Sequence, residues 1–272
     1  MGKQLGISVF VPHPALQSYV QEYKYVGPGV IQEGINSIDI YPVDHTEMSF
    51  ILDEQHYFRE KGTDDLFGYP LCFVGMLNQG RCFDVFPKTF VQVVFKPYGA
   101  YKLFGIPQRH FSNLATDIQL LFPGVAILIE QLKEASGSAE KVVAILERWL
   151  LNRLDTAAKT DVSGIAYACE QIQQSGGLLR VEALCRHLGM SATTLGDQFR
   201  EKVGFSPKTF SRIVRFNHIN TFISQQTNVN WQELVYSHGF FDQNHFIKEF
   251  KHFYGCTPSQ WHARPSIFTM QE

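Results

Sequence analysis

Cysteine is scarce and badly placed for cross-linking: the 272 residues hold five, an odd number with no C-x-x-C pair. That argues against a disulfide framework or a thiolate metal site and fits separate, reduced thiols. Long hydrophobic runs are missing as well. No stretch reaches the roughly 18 to 20 uninterrupted apolar residues that a bilayer span needs. The start, Met1-Gly2-Lys3-Gln4-Leu5, has neither a long apolar run nor a cleavage pattern. The expected location is the cytoplasm, with no membrane partner. Charge of one sign is also lacking, the formal net value being −2, so a surface coated in cations is excluded.

What is present is enough apolar material, 44% of residues, to bury two cores. The charge is unevenly spread: 13 Lys and Arg against 17 Asp and Glu in residues 1–156, then 11 against 9 in residues 157–272. Any binding of nucleic acid by the second part must therefore rest on where cations stand rather than on bulk charge.

The first part reads as β. Residues 7–11, 47–52, 71–74, 81–86 and 90–95 are short, β-branched or aromatic, and separated by Gly, Pro, Asn or Asp. Several short strands with turn signals between them predict a barrel or sandwich. Ala100 to Phe104 predicts a helical turn or two. Two amphipathic helices follow, Gly124 to Glu134 and Ser138 to Leu154. The broad apolar face of the second (Val142, Ile145, Leu146, Trp149, Leu150, Leu154) suits either packing on the β-domain or pairing between subunits. Asp155 to Thr160 reads as a short linker, and Val162 to Gln174 as a helix stopped by Gly176-Gly177.

The second part is organised by a repeat. Leu184, Gly189, Leu195, Phe199, Gly204, Pro207 and Phe210 match Leu234, Gly239, Phe246, Phe250, Gly255, Pro258 and Trp261, at an offset of 50 before the turn and 51 after it. One extra residue therefore sits in the second turn. Each copy is a short helix, a glycine turn and a second helix with a polar face, which predicts two helix-turn-helix units rather than a plain helical bundle. Between them Pro207 to Ser224 predicts one continuous helix, about 27 Å long, against about 34 Å between successive major grooves on one face of DNA.

The stretches Gly239-Phe240-Phe241-Asp242-Gln243-Asn244-His245-Phe246, Phe250-Lys251 and Gly255-Cys256-Thr257-Pro258 resemble the signature of the AraC/XylS family of bacterial transcription regulators. So do Met190-Ser191, Leu195, Phe199-Arg200 and Gly204-Phe205-Ser206-Pro207. That resemblance covers about residues 161–264. A looser one, Pro12, Leu16, Tyr19-Val20 and Tyr23 with Val94-Phe95-Lys96-Pro97-Tyr98-Gly99-Ala100, points to the effector-type half of one subgroup. The resemblance implies an α+β chain: a β-barrel-like (cupin-like) domain with helices in residues 1–156 for effector binding or oligomerisation, then an all-α DNA-binding domain in residues 157–272. It implies double-stranded DNA and an unknown small-molecule effector as partners, with RNA polymerase and a second copy of the chain as further candidates. No catalysis and no cofactor are expected.

In each unit the second helix would enter the major groove, where base pairs present distinct donors and acceptors. Once the apolar stripe Phe246, Phe250 and Phe253 is set inward, the open face is Gln243, Asn244, Ile247, Lys248 and Lys251. Asn and Gln suit adenine, Lys suits guanine, Ile247 suits a thymine methyl, and Lys251 suits phosphate. The corresponding face of the first unit is Ala192, Thr193, Gly196, Asp197 and Arg200. Gly196 and Asp197 depart from the family's longer polar or basic side chains, and a carboxylate there repels phosphate. Lys208, Arg212 and Arg215 on the connecting helix either reach phosphate or pair with local acids.

Two other classes of function were weighed. His45-Thr46-Glu47 hints at a metal-dependent β-barrel enzyme fused to a DNA-binding tail, but the H-x-H pair with a following Glu is missing. Cys72 and Cys82 could form a redox sensor, yet no cation motif flanks them. A third alternative keeps the regulator but makes the β-domain an effector-free dimerisation module.

Overall fold

The computed structural model describes residues 7–31, 37–54, 57–157, 160–226 and 228–262. Among the described residues there are ten strands, the last of them after the first helix: β1 (Ser8–Phe10), β2 (Val20–Val26), β3 (Ile38–Ile40), β4 (Thr46–Ile51), β5 (Tyr57–Glu60), β6 (Phe67–Gly68), β7 (Leu71–Val74), β8 (Arg81–Val85), β9 (Phe90–Phe95) and β10 (Ala115–Asp117). They form two antiparallel sheets, ordered β1-β2-β9-β4-β7-β10 and β3-β8-β5-β6. The five expected strands are all present. The expected barrel is not closed by hydrogen bonds: among the described residues β1 and β10 end the larger sheet without pairing to each other.

The larger sheet buries both faces for different purposes. Tyr23, Tyr25, Met48, Phe50, Phe73, Val91 and Val93 share one core with three helices, α1 (Gly99–Phe104), α2 (Val125–Glu134) and α3 (Ala139–Thr156). The opposite face carries Val26, Ile51 and Phe90, which meet Phe58 of the smaller sheet. Across that second face the register aligns Lys24, Gln92, Ser49, Cys72 and Asp117 in one row over five strands.

The apolar breadth of α3 is met within the chain. Leu146 and Leu150 are fully buried, and the Trp149 ring lies 5.8 Å from each of Phe50, Phe104 and Phe122. This accounts for the breadth without a second subunit. The expected linker is also shorter than drawn, because α3 continues through Thr156; residues 158 and 159 lie outside the described set.

Among the described residues seven further helices follow: α4 (Ser163–Gln174), α5 (Val181–Leu188), α6 (Ala192–Lys202), α7 (Pro207–Ser224), α8 (Trp231–Ser237), α9 (Gln243–Tyr254) and α10 (Pro258–His262). The β-rich part touches both helical units. On one side the Tyr101 hydroxyl donates to Glu201 at 2.6 Å and the Ser112 hydroxyl donates to the Gly204 carbonyl at 2.7 Å. On the other, the Gly80 amide donates to the Phe253 carbonyl at 3.0 Å. There too the Tyr41 ring meets Trp261 edge-on at 4.5 Å, and Gln173 donates to Asp44 at 2.6 Å. The Asn217 amide, oriented to donate to the Pro42 carbonyl, accepts from the Asp44 amide.

Gly99 is fixed by close approach rather than by a turn. At Gly99 the Tyr19 carbonyl occupies the place of a Cβ, and Tyr19 also accepts from the Lys96 amide, so the backbone there has two anchors. Gly99→Ala should therefore destabilise the chain by about 1–3 kcal/mol, as overpacking does. Urea unfolding of the two proteins checks this; equal midpoints would show that the α1 entrance is looser than drawn.

Candidate nucleic-acid interface

Both units are built by the same local devices. Leu184 and Leu234 are buried, as are Leu195 and Phe246, and Phe199 and Phe250. Gly189 and Gly239 follow the first helices with φ of 63° and 68°, a left-handed turn that glycine enters without a Cβ penalty. The second helices are capped in the same manner: Ser191 accepts from the Thr194 amide at 3.1 Å and Asp242 from the His245 amide at 2.7 Å. Ser206 caps α7 by accepting from the Thr209 amide, with Pro207 in its first turn.

These caps hold α9 with its polar side outward. Gln243, Asn244, Lys248 and Lys251 are exposed, and among the described residues none of their four side chains is drawn into a hydrogen bond or ion pair. Ile247 is less available than expected, being half-buried against the helical core. An N-terminal turn with free amide side chains and a lysine one turn on matches what a major-groove edge requires: paired donors and acceptors, then a cation. Lys251 lies nearer the C-terminal end of α9.

The face of α6 differs from the sequence expectation at three positions. Gly196 is buried, and the nearest side chain to a Cβ there would be Arg200, at 3.6 Å from Nη1. Asp197 and Arg200 are both exposed, at 68% and 55% of their side chains, and form an ion pair of 2.8 Å one turn apart. The carboxylate that would repel phosphate is thus partly neutralised, at the cost of occupying the cation that would attract it. Thr193 stays exposed.

Of Lys208, Arg212 and Arg215 on α7, Lys208 alone is exposed, and it forms no ion pair among the described residues. Arg212 donates twice to Glu249 of α9, at 2.7 and 2.9 Å, with its guanidinium 5.3 Å from the Phe253 ring centroid. It is a strut between the connecting helix and the second reading helix rather than a free phosphate ligand. Arg215 is also spent: it donates to the Gly177 carbonyl at 3.1 Å and lies 5.5 Å from the Phe240 ring centroid, and burial pulls its pKa down. Its partners lie 38 and 25 residues away in sequence, so spacing alone gave no sign of them.

The alternative sites read differently in three dimensions. Among the described residues no group of three or more His, Cys, Asp or Glu is placed to hold a metal ion. His45 instead pairs with Glu47 at 3.1 Å, and Gln92 donates to both Glu47 and Ser49. Burial pushes the Glu47 carboxyl up, but His45, Lys24 and Gln92 more than offset it and leave the group below its ordinary value. Burial raises the Cys72 thiol to about 12, with Asp117 and Glu47 adding to it, and Cys82 to about 11, with Asp39 adding. Thiols held this far from the thiolate are poor nucleophiles near neutrality. Among the described residues no helix is long and apolar enough to cross a membrane.

Two substitutions separate a strut from a ligand. Arg212→Ala should lower stability by about 1.5–3 kcal/mol, the range for hydrogen bonds between charged groups, whereas Lys208→Ala should stay within about 0.5 kcal/mol. Chemical denaturation measures both; equal midpoints for Arg212→Ala and the parent would return Arg212 to the candidate phosphate ligands. Asp197→Asn should release Arg200 and raise affinity for duplex DNA of any sequence by up to about fivefold, the scale of one exposed ion pair, as read by fluorescence anisotropy.

Comparison with known proteins places this geometry. Residues 184–264 match a family model described as a helix-turn-helix domain. No curated protein matches the sequence. Among solved structures, ToxT from Vibrio cholerae O395 is 10% identical over 84% of this chain and 95% of that one, with a TM-score of 0.44. Unsaturated fatty acid bound wild-type ToxT from Vibrio cholerae strain SCE256 is 11% identical over 87% and 96%, with a TM-score of 0.45. The AraC-like transcriptional activator CuxR is 18% identical over 74% and 73%, with a TM-score of 0.26. The two capped units joined by α7 lie in the stretch that the family model covers, so the second part of this chain contains a helix-turn-helix domain.

Proposed function

We propose that this chain is a sequence-specific transcription regulator whose residues 157–272 read duplex DNA and whose residues 1–156 bind a small-molecule effector. The observation that carries the DNA reading is the first turn of α9, where Gln243 and Asn244 stand exposed and unengaged with Lys248 one turn along. These groups supply two amides for adenine edges and one cation for guanine or phosphate. The connecting helix, 18 residues and so about 27 Å long, suits reading helices aimed at successive grooves from one chain.

What supports an effector role for the first part is the polar row inside the larger sheet. Lys24, Glu47, Ser49 and Gln92 are all buried between strands, where a purely structural sheet places apolar side chains. His45 directly follows Asp44, and Glu47 stands three residues after it; Asp44 and the nearby Tyr41 touch the helical part. A molecule binding beside that row would act on a segment that already contacts the DNA-reading half.

The test is selection of duplexes from a random-sequence pool on the full chain, followed by titration at several salt concentrations. Log affinity should fall with log salt. Asn244→Ala and Lys248→Ala should each cost about 1–3 kcal/mol on the selected duplex, and Lys248→Ala should also reduce the salt slope by about 1 if it reaches phosphate. Failure to enrich any sequence, or unchanged affinity in both variants, would overturn the proposal.

A further inference from the structure

The extra residue in the second turn can be identified from hydrogen bonds. The Met190 amide donates to the Cys185 carbonyl at 3.0 Å, and the Phe240 amide donates to the Val235 carbonyl at 3.0 Å. These bonds match at an offset of 50, so Phe240 takes the place of Met190, and both side chains pack against the helical core. The caps match at an offset of 51: Ser191 to Thr194 in the first unit, Asp242 to His245 in the second. Only Phe241 lies between the two registers. The second turn is therefore the first turn with one phenylalanine inserted.

That phenylalanine is not used by the fold. Phe241 is 88% exposed, the most exposed aromatic among the described residues, and no ring contact engages it there. The neighbouring Phe240 is buried, 5.1 Å from Phe246 and 5.6 Å from Phe216. Asp242, in extended conformation, then leads straight into α9. Phe241 thus stands at the N-terminal mouth of the reading helix, one residue before its cap and two before Gln243. In helix-turn-helix docking it is this end of the helix that meets base edges. The one apolar group offered by the major groove is the thymine methyl.

We infer that Phe241 is a specificity-determining residue that packs its ring on a thymine methyl beside the bases read by Gln243 and Asn244. The inference rests on the proposed DNA reading and deepens it. An inserted apolar ring gives the second unit a contact for which the first unit has no equivalent residue. It adds affinity by excluding water from apolar surface, not by releasing counterions, so its energetic signature differs from that of a lysine.

The experiment uses the full chain and the duplex selected on it from a random pool. Phe241→Ala should keep the parent Tm and weaken binding roughly tenfold with an unchanged salt slope, whereas Phe241→Leu should retain most of the affinity. Scanning the duplex by dT to dU replacement, which removes one methyl at a time, should find a position that weakens the parent but not Phe241→Ala. Binding by Phe241→Ala within twofold of the parent overturns the inference and leaves the ring to a protein partner. Weakened binding with no dT position coupled to residue 241 overturns the thymine assignment. If Lys248→Ala weakens binding while Phe241→Ala does not, only this inference fails; if no duplex is selected, the DNA reading fails with it.

Discussion

Phe216 stands near the middle of the helix on which both reading units are built, and the second unit is assembled around its ring. Phe253 stacks on it at 4.5 Å, while Phe240, Phe246, Phe250 and Tyr254 lie within 6.4 Å from other directions. The same helix sends Phe210, Ile213 and Val214 into the core near its first end and Ile219 and Ile223 near its last. A helix buried along most of its length cannot bend freely without opening cavities. The separation of the two reading helices is therefore set by α7, and the Arg212 to Glu249 strut fixes the roll of α9 about it.

That rigidity makes the contacts of the β-rich part consequential. They fall at both ends of the helical assembly: Tyr101 and Ser112 hold the end of the first unit, while Gly80, Tyr41 and Asp44 hold the second unit and the side of α7. These attachments tie the first part to α6, α7 and α9. The Tyr101 hydroxyl illustrates the coupling, since burial first and Glu201 second raise its pKa to about 12, so it remains a donor to Glu201 at any physiological pH.

Local patterns carried the helical half of the sequence and five strands of the sheets, and the other described strands escaped them for a definable reason. Glycine turns, cap residues and the phenylalanine stripe of α9 are short-range signals, and each produced the element it predicted. β2 has the period-2 alternation of a strand, Glu22 and Lys24 against Tyr23 and Tyr25, yet Lys24 turns into the molecule and not out to solvent. β3, β5, β6 and β10 have only two to four residues, too short for any period to emerge. The polar row is legible only once register places Lys24, Gln92 and Ser49 side by side. The strut formed by Arg212 is invisible for the same reason, its partner lying 37 residues away.

The one-residue difference between the repeats shows where sequence and structure divide the work. Counting offsets locates an insertion within the second turn but cannot say which residue it is. A turn can absorb an insertion either by burying a new side chain or by expelling one. Here the left-handed glycine, the hydrogen bond closing the first helix and the N-cap are all retained, and Phe240 takes the buried place in the turn. The added residue has only solvent to occupy. Units that began as equals in their hydrogen bonding thus end with unequal surfaces: an aspartate holding the arginine of one, and an unattached ring beside two free amides on the other.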